Sequence, residues 1–182
     1  MQASTKNTVI TDPPFAAALL GSPRWSWIWL IVRLYVGYEW LSSGIGKASN
    51  PVWQSGAALK GYWERAILIP AAPAKPIITY DWYRSFISGL LASGSYTWFA
   101  KLVNAGEILV GLGLILGAFV GIAAFFGALM NWNFMVAGTA STNPVLIVLS
   151  ILLILAWKTA GWWGADRWLL TKLGTPWRPK RD

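Results

Sequence analysis

Residues 98–138 read WFAKLVNAGEILVGLGLILGAFVGIAAFFGALMNWNFMVAG, and this stretch decides the fold. After Lys101 its only formal charge is Glu107. A straight helix of this length would run about 60 Å, twice the hydrocarbon thickness of a bilayer. The chain must therefore turn back, and Gly117 and Gly121 offer the place. The expectation is two membrane passes, residues 98–116 and 120–137, with almost no loop between them. A carboxylate, Glu107, falls deep in the first pass, and an amide pair, Asn131 and Asn133, late in the second. Gly113, Gly117 and Gly121 recur every four residues, a spacing that lets helices approach closely.

Composition agrees. The 182 residues suit one domain; 55% are hydrophobic and only 12% charged. A soluble domain carries about twice that charge fraction. The net charge of +8 suits membrane orientation and contact with anionic lipid. It does not suit nucleic acid, because the basic residues are scattered or terminal rather than gathered on one face. The chain has no Cys and no His. That excludes disulfides, thiolate chemistry, Cys-held iron–sulfur clusters and His-ligated haem on this chain, and no metal site is expected. Any redox role needs an organic cofactor, or a partner that carries the metal or thiol.

Outward from the central stretch, residues 1–24 read as an N-terminal tail, ordered in part near Pro13 and Pro14 and lying on a partner. They lack a basic region leading into an apolar core, so they do not read as a cleaved signal peptide. The first pass spans residues 25–43, with Arg33 near its middle, Glu39 nearer its far end, and Gly44, Gly46 and Lys47 closing it. Arg33 and Glu39 point about 120° apart and make poor partners. Residues 47–97 form a cap lying on one membrane surface. In it residues 52–69 and 81–91 have interfacial helix character, with Asp81 as N-cap of the second, and Pro70, Pro73 and Pro76 break the chain between them. Residues 139–144 (TASTNP) turn the chain, with Pro144 at a first helical position capped by Asn143 or Thr142. The fourth pass spans residues 145–163, and residues 167–182 form a basic C-terminal tail. The predicted fold is an all-α integral membrane protein. It is a four-transmembrane-helix bundle over residues 25–166, with a surface cap of short amphipathic helices between helices 1 and 2.

Four passes put both termini on one side. That side carries Lys6, Arg24, Arg167, Lys172, Arg178, Lys180 and Arg181. The concentrated C-terminal cluster predicts a multi-pass protein of the cell (inner) membrane with both termini cytoplasmic. Tryptophans at both levels, such as Trp25, Trp27 and Trp162 against Trp40, Trp98 and Trp132, read as two aromatic belts.

Counted from the cap side, Glu39, Glu107, Asn131 and Asn133 lie in the near half of the bundle and Arg33 close to the midplane. Charges at such depth cost roughly 2.5–3.5 kcal/mol on insertion scales, so they face the interior and find partners. Their matched depths predict a buried ion pair between Arg33 and Glu107. One reading makes that pair purely structural, a device fixing helix register. The other makes Glu39, Glu107, Asn131 and Asn133 a polar pocket walled by Trp40 and Trp132. Such a pocket could supply a quinone head group with hydrogen-bond donors, a proton acceptor and flat apolar walls.

The segments RLYVGYEWLSSGIGK, GEILVGLGLILGAFVGIAAF, NWNFMVAGTASTNP and LILAWKTAGWWGADRWLL resemble the DoxX/DoxD membrane family over about residues 25–173. The longer connection with ITYDWYRSFISGLL looks most like the DoxD branch. The resemblance implies a four-helix membrane bundle that works with one or more partner subunits. Arg33, Glu39, Lys47, Glu107, Asn131 and Asn133 match polar positions of the family pattern. The DoxD branch is described as the membrane subunit of a thiosulfate:quinone oxidoreductase. The resemblance therefore implies a membrane subunit of a quinone-linked oxidoreductase, with quinone as cofactor and the sulfur chemistry on another chain. The alternative is a non-catalytic structural or assembly subunit of a larger respiratory or photosynthetic complex. A small transporter is disfavoured, since the sequence shows no inverted repeat.

Overall fold

The computed structural model describes residues 12–174, and among them the chain is all helix. Helix α1 (Pro14–Gly21) and a 3-10 turn (Pro23–Trp25) lead into α2 (Ser26–Ala48). Short α3 (Pro51–Gln54) and α4 (Ala57–Ala66) precede a proline-bearing stretch and α5 (Asp81–Ala92). Then come α6 (Tyr96–Leu116), α7 (Val120–Val136), α8 (Asn143–Leu155), α9 (Trp157–Ala160) and α10 (Asp166–Lys172). Four helices close a ring: α2 lies along α6, α6 along α7, α7 along α8, and α8 returns to α2.

Glycines set the closest seam of that ring. A Cβ on Gly37 would meet Leu114 and Ile115, one on Gly44 would meet Glu107 and Ile108, and one on Gly111 would stand 2.6 Å from the Leu41 backbone nitrogen. These pairings run antiparallel and fix the α2–α6 register. Between α6 and α7 the reversal takes three residues. Gly117 adopts φ +65°, and the Ala118 N–H donates to the Gly113 carbonyl at 2.8 Å, which ends α6. Phe119 follows at φ 49°, a left-handed conformation that a bulky side chain adopts only when its surroundings hold it there.

The bundle core gathers Trp29, Val36, Trp40, Val110, Leu114, Leu146 and Leu153. A second core, with Leu59, Trp63, Ile78, Tyr83 and Ile87, joins α4 and α5 to Ala100 and Ala137 at one end of the ring. Helix α1 does not stand apart as a tail. The Trp29 indole donates to the Leu19 carbonyl at 2.8 Å and the Thr159 hydroxyl to the Leu20 carbonyl at 2.9 Å, so α1 docks on its own bundle. The rest of the expected tails, residues 1–11 and 175–182 with the cluster Arg178, Lys180 and Arg181, lies outside the described residues.

Three expectations need correction. Helix α2 runs on through Gly44 and Gly46 to Ala48, because Gly44 packs against α6 instead of ending the helix. Asp81 is the first residue of α5 and pairs with Arg84, while Tyr80 holds the capping position. The third concerns the ion pair. Gly44 is level with Glu107, and Arg33 lies eleven residues before Gly44, about 16 Å away along the axis. Arg33 and Glu107 therefore do not meet. The matched depths were counted from helix ends that the structure moves.

Helix α6 is long and apolar enough to cross a membrane, and α1 with residues 23–48, bent by 65°, would together make a second such segment. Helices α7, of 17 residues, and α8, of 13, are apolar but shorter.

Replacing Gly111 by Ala forces a methyl group into the Leu41 backbone and should lower stability by about 1–3 kcal/mol. Gly61→Ala, on a helix face with open space around it, should raise stability by about 0.5–1 kcal/mol. Thermal unfolding of both variants in detergent checks the pair. A neutral Gly111→Ala would contradict the seam.

Candidate functional site

Polar side chains concentrate inside the ring. Arg33, Asn104, Glu107, Asn131, Ser150 and Asp166 are buried. Glu107 belongs to a group at the cap end, and Arg33 and Asp166 to one at the other end.

At the cap end Glu107 receives Lys47. The Lys47 ammonium stands 2.7 Å from Oε1 and 2.8 Å from Oε2, and it also donates to the Ser43 hydroxyl at 2.7 Å. Ser43 in turn donates to Oε2 at 3.3 Å. Ser43 and Lys47 are one helical turn apart on α2, so both reach the same carboxylate. The ammonium also sits 5.0 Å from the centre of the Trp53 ring on α3, whose indole donates to the Ala100 carbonyl at 3.0 Å. The cap thus closes over the pair. It also holds α7. Tyr62 donates to the Ala137 carbonyl at 2.6 Å and Tyr83 to the Asn133 carbonyl at 3.2 Å. Burial pushes both phenols above their usual range, which keeps them neutral donors.

At the other end Arg33 donates to the Leu114 carbonyl at 2.6 Å, the Ile115 carbonyl at 3.0 Å and the Trp163 carbonyl at 3.2 Å. Of these the Ile115 carbonyl has no backbone donor at the end of α6, while the Leu114 carbonyl also accepts from the Gly117 N–H at 3.2 Å. Asp166 does the converse for α7, accepting from the Phe119 N–H at 2.5 Å and the Val120 N–H at 2.9 Å. One cation and one carboxylate thereby cap the two helix ends of the α6–α7 turn.

The residues expected to line a quinone pocket separate. Trp40, Glu107 and Asn131 face the interior. Trp132 is 43% exposed and stacks on Trp82 with ring centres 6.3 Å apart. Asn133 is half-buried and donates back to Leu129 of its own helix at 2.8 Å, and Glu39 is half-buried. Residues 131, 132 and 133 are consecutive on a helix and fan over about 200°, so one of them alone can face the ring centre. Trp40 and Glu39 diverge for the same reason.

The interior holds more that sequence reading missed. Trp40 Nε1, Asn104 Oδ1, both amide atoms of Asn131 and Ser150 Oγ have no hydrogen-bond partner among the described residues. A Cβ on Gly127 would stand 3.1 Å from Trp40 Nε1, and Asn131 lies one turn along α7 from Gly127. Ser43, Asn104, Ser150 and Asp166 were outside the expected site, and Lys47 stood among the polar positions of the family pattern with no partner assigned. The i,i+4 spacing of Ser43 and Lys47 was the available signal, hidden by the glycines between them. Two surface clefts, of about 450 and 330 Å³, lie elsewhere, beside Trp163 and Trp168 and beside Ile122 and Phe126. Among the described residues no His, Cys, Asp or Glu cluster could hold a metal.

No family model, no curated protein and no solved structure matches this chain.

Lys47→Met leaves a buried carboxylate unpaired and should cost about 3–5 kcal/mol of stability. Glu107→Leu should cost a similar amount, and the double variant should recover most of the loss. Equal and additive losses in a double-mutant cycle would show that the two side chains do not act as a pair. Asp166→Asn keeps the shape but removes the charge from the α7 cap, and unfolding should report a loss of about 1–2 kcal/mol.

Proposed function

We propose that the chain is a four-pass membrane protein of the DoxX/DoxD type that serves as the membrane subunit of a larger redox complex. Helices α2, α6, α7 and α8–α9 would be the passes. One observation carries this reading: the bundle is apolar on its outside as well as in its core, and that core encloses Arg33, Glu107 and Asp166. Charged and amide side chains are buried, while Ile31, Leu109, Ile122, Phe125, Val148 and Ile151 are exposed on the outsides of the four helices. Continuous apolar surface on this scale marks contact with lipid or protein, and interior ionisable groups fit a bilayer-facing exterior. The Lys and Arg of the terminal side favour an inner-membrane protein with both termini in the cytoplasm.

A structural role within the complex fits the use of the charges. Glu107 is engaged by Lys47 and Ser43, Arg33 by three carbonyls, and Asp166 by two N–H groups. All three hold helices together.

A second reading has its own observation. The free Trp40 indole N–H and Asn131 amide lie in the cap-side half of an apolar core. Both could donate to a carbonyl of a quinone. The chain would then be the quinone side of an oxidoreductase whose partner oxidises a sulfur donor such as thiosulfate.

Purification from the native membrane in gentle detergent, with mass spectrometry of proteins, lipids and quinones, separates the readings. A stoichiometric partner complex without quinone on this chain is expected for a structural subunit. Quinone retained by the wild type and lost from Asn131→Leu, together with a Cys-bearing partner, would favour the second reading. A chain that leaves the membrane without detergent, or that arrives alone, would overturn both.

A further inference from the structure

The larger cleft lies where the α6–α7 turn meets the segment carrying α9 and α10. It encloses about 450 Å³ and is lined by Leu116, Ala118, Trp163, Gly164, Arg167 and Trp168. Its floor and walls are apolar, and Trp163 and Trp168 are 60% and 66% exposed. Its cation is held in a defined way. The Arg167 guanidinium carbon stands 4.9 Å over the Trp162 ring. A guanidinium placed over a ring keeps its N–H donors, which can take two oxygens of one phosphate.

The local charge is unbalanced. Residues 157–174 carry Lys158, Arg167 and Lys172 against a single carboxylate, Asp166. That carboxylate is fully buried and turned onto the Phe119 and Val120 N–H groups, away from the cleft. Leu116 and Ala118, the lining residues from the hairpin side, bring no charge. The cleft therefore combines an apolar trough with a cation at its rim, Arg167, that pairs with no carboxylate among the described residues.

We propose that this cleft seats one anionic phospholipid, with its phosphate on the edge of Arg167 and an acyl chain along Leu116, Trp163 and Trp168. This rests on the membrane reading above. The occupant follows from the pairing of features. A soluble anion would use the guanidinium but not the trough, and a neutral lipid would use the trough without matching the excess positive charge. An anionic amphiphile uses both, and anionic lipids enrich the cytoplasmic leaflet that the terminal side would face.

The test is thermal unfolding of the full chain in detergent, titrated with short-chain phosphatidylglycerol, short-chain phosphatidylcholine or inorganic phosphate. Phosphatidylglycerol should raise Tm in a saturable way, and phosphatidylcholine and phosphate should not. In Arg167→Gln the apparent affinity should fall roughly tenfold, the scale of one lost charge-assisted contact. Lys172→Gln should keep the shift, and Arg167→Lys, which retains charge without the planar fork, should keep part of it. An unchanged shift in Arg167→Gln overturns the site, as does an equal shift from phosphatidylcholine or from phosphate alone. Extraction of the chain without detergent would instead overturn the membrane reading, so the two fail separately.

Discussion

Arg33 reaches out of α2 and binds the carbonyl oxygens of Leu114, Ile115 and Trp163. This contact joins three segments of the ring through one side chain. A helix that ends inside an apolar bundle leaves carbonyls with no donor, and an unmet backbone group there costs as much as a lost hydrogen bond. Arg33 meets that demand at Ile115, the Ala165 and Asp166 N–H groups meet it at Leu116 and Gly117, and together they tie α2, α6 and the segment after α9 at one level. Asp166 meets the opposite demand, donors without acceptors, at the start of α7. The two side chains are complementary in charge because the two helix ends are complementary in polarity.

The opposite end uses other chemistry. Here Tyr62, Tyr83 and Trp53 donate to carbonyls of Ala137, Asn133 and Ala100. The cap is therefore part of the bundle. Its donors add a second hydrogen bond to carbonyls such as Asn133, which already accepts from the Ala137 N–H, and its Trp53 ring covers the Lys47–Glu107 pair. Buried charges in this chain close gaps left by the backbone or by each other, which is why they survive in a core otherwise made of Trp, Val and Leu.

Much of this was legible in the sequence. The reversal near Gly117, the helical pairs around it, the division of the connection by Pro70, Pro73 and Pro76, and the turn before Pro144 all follow from local chemistry. So did the burial of Arg33, Glu107 and Asn131, since such residues in apolar runs have to face inward. The partners were not legible. Pairing depends on register, and register here is set by Gly37, Gly44 and Gly111, whose role is to let two backbones approach. A glycine that breaks a helix and one that admits a neighbour look alike in one dimension. Reading Gly44 and Gly46 as an end shortened α2, displaced the depth scale, and matched Glu107 with Arg33 instead of Lys47. The run Asn131, Trp132, Asn133 misled for a simpler reason: neighbours in sequence diverge on a helix.

The reversal at residues 117–119 also orders events in time. Phe119 is held in its left-handed conformation beside a carboxylate that lies 47 residues further along the chain. During synthesis from the N-terminus, α6 and α7 emerge and can pair well before Asp166 exists. Until it does, the α7 end lacks its side-chain cap, and the turn is held by Arg33 and by its own backbone bonds from Gly117 and Ala118. The segment carrying Asp166 therefore acts as a latch, and the α7 end gains its cap only after that segment has been made.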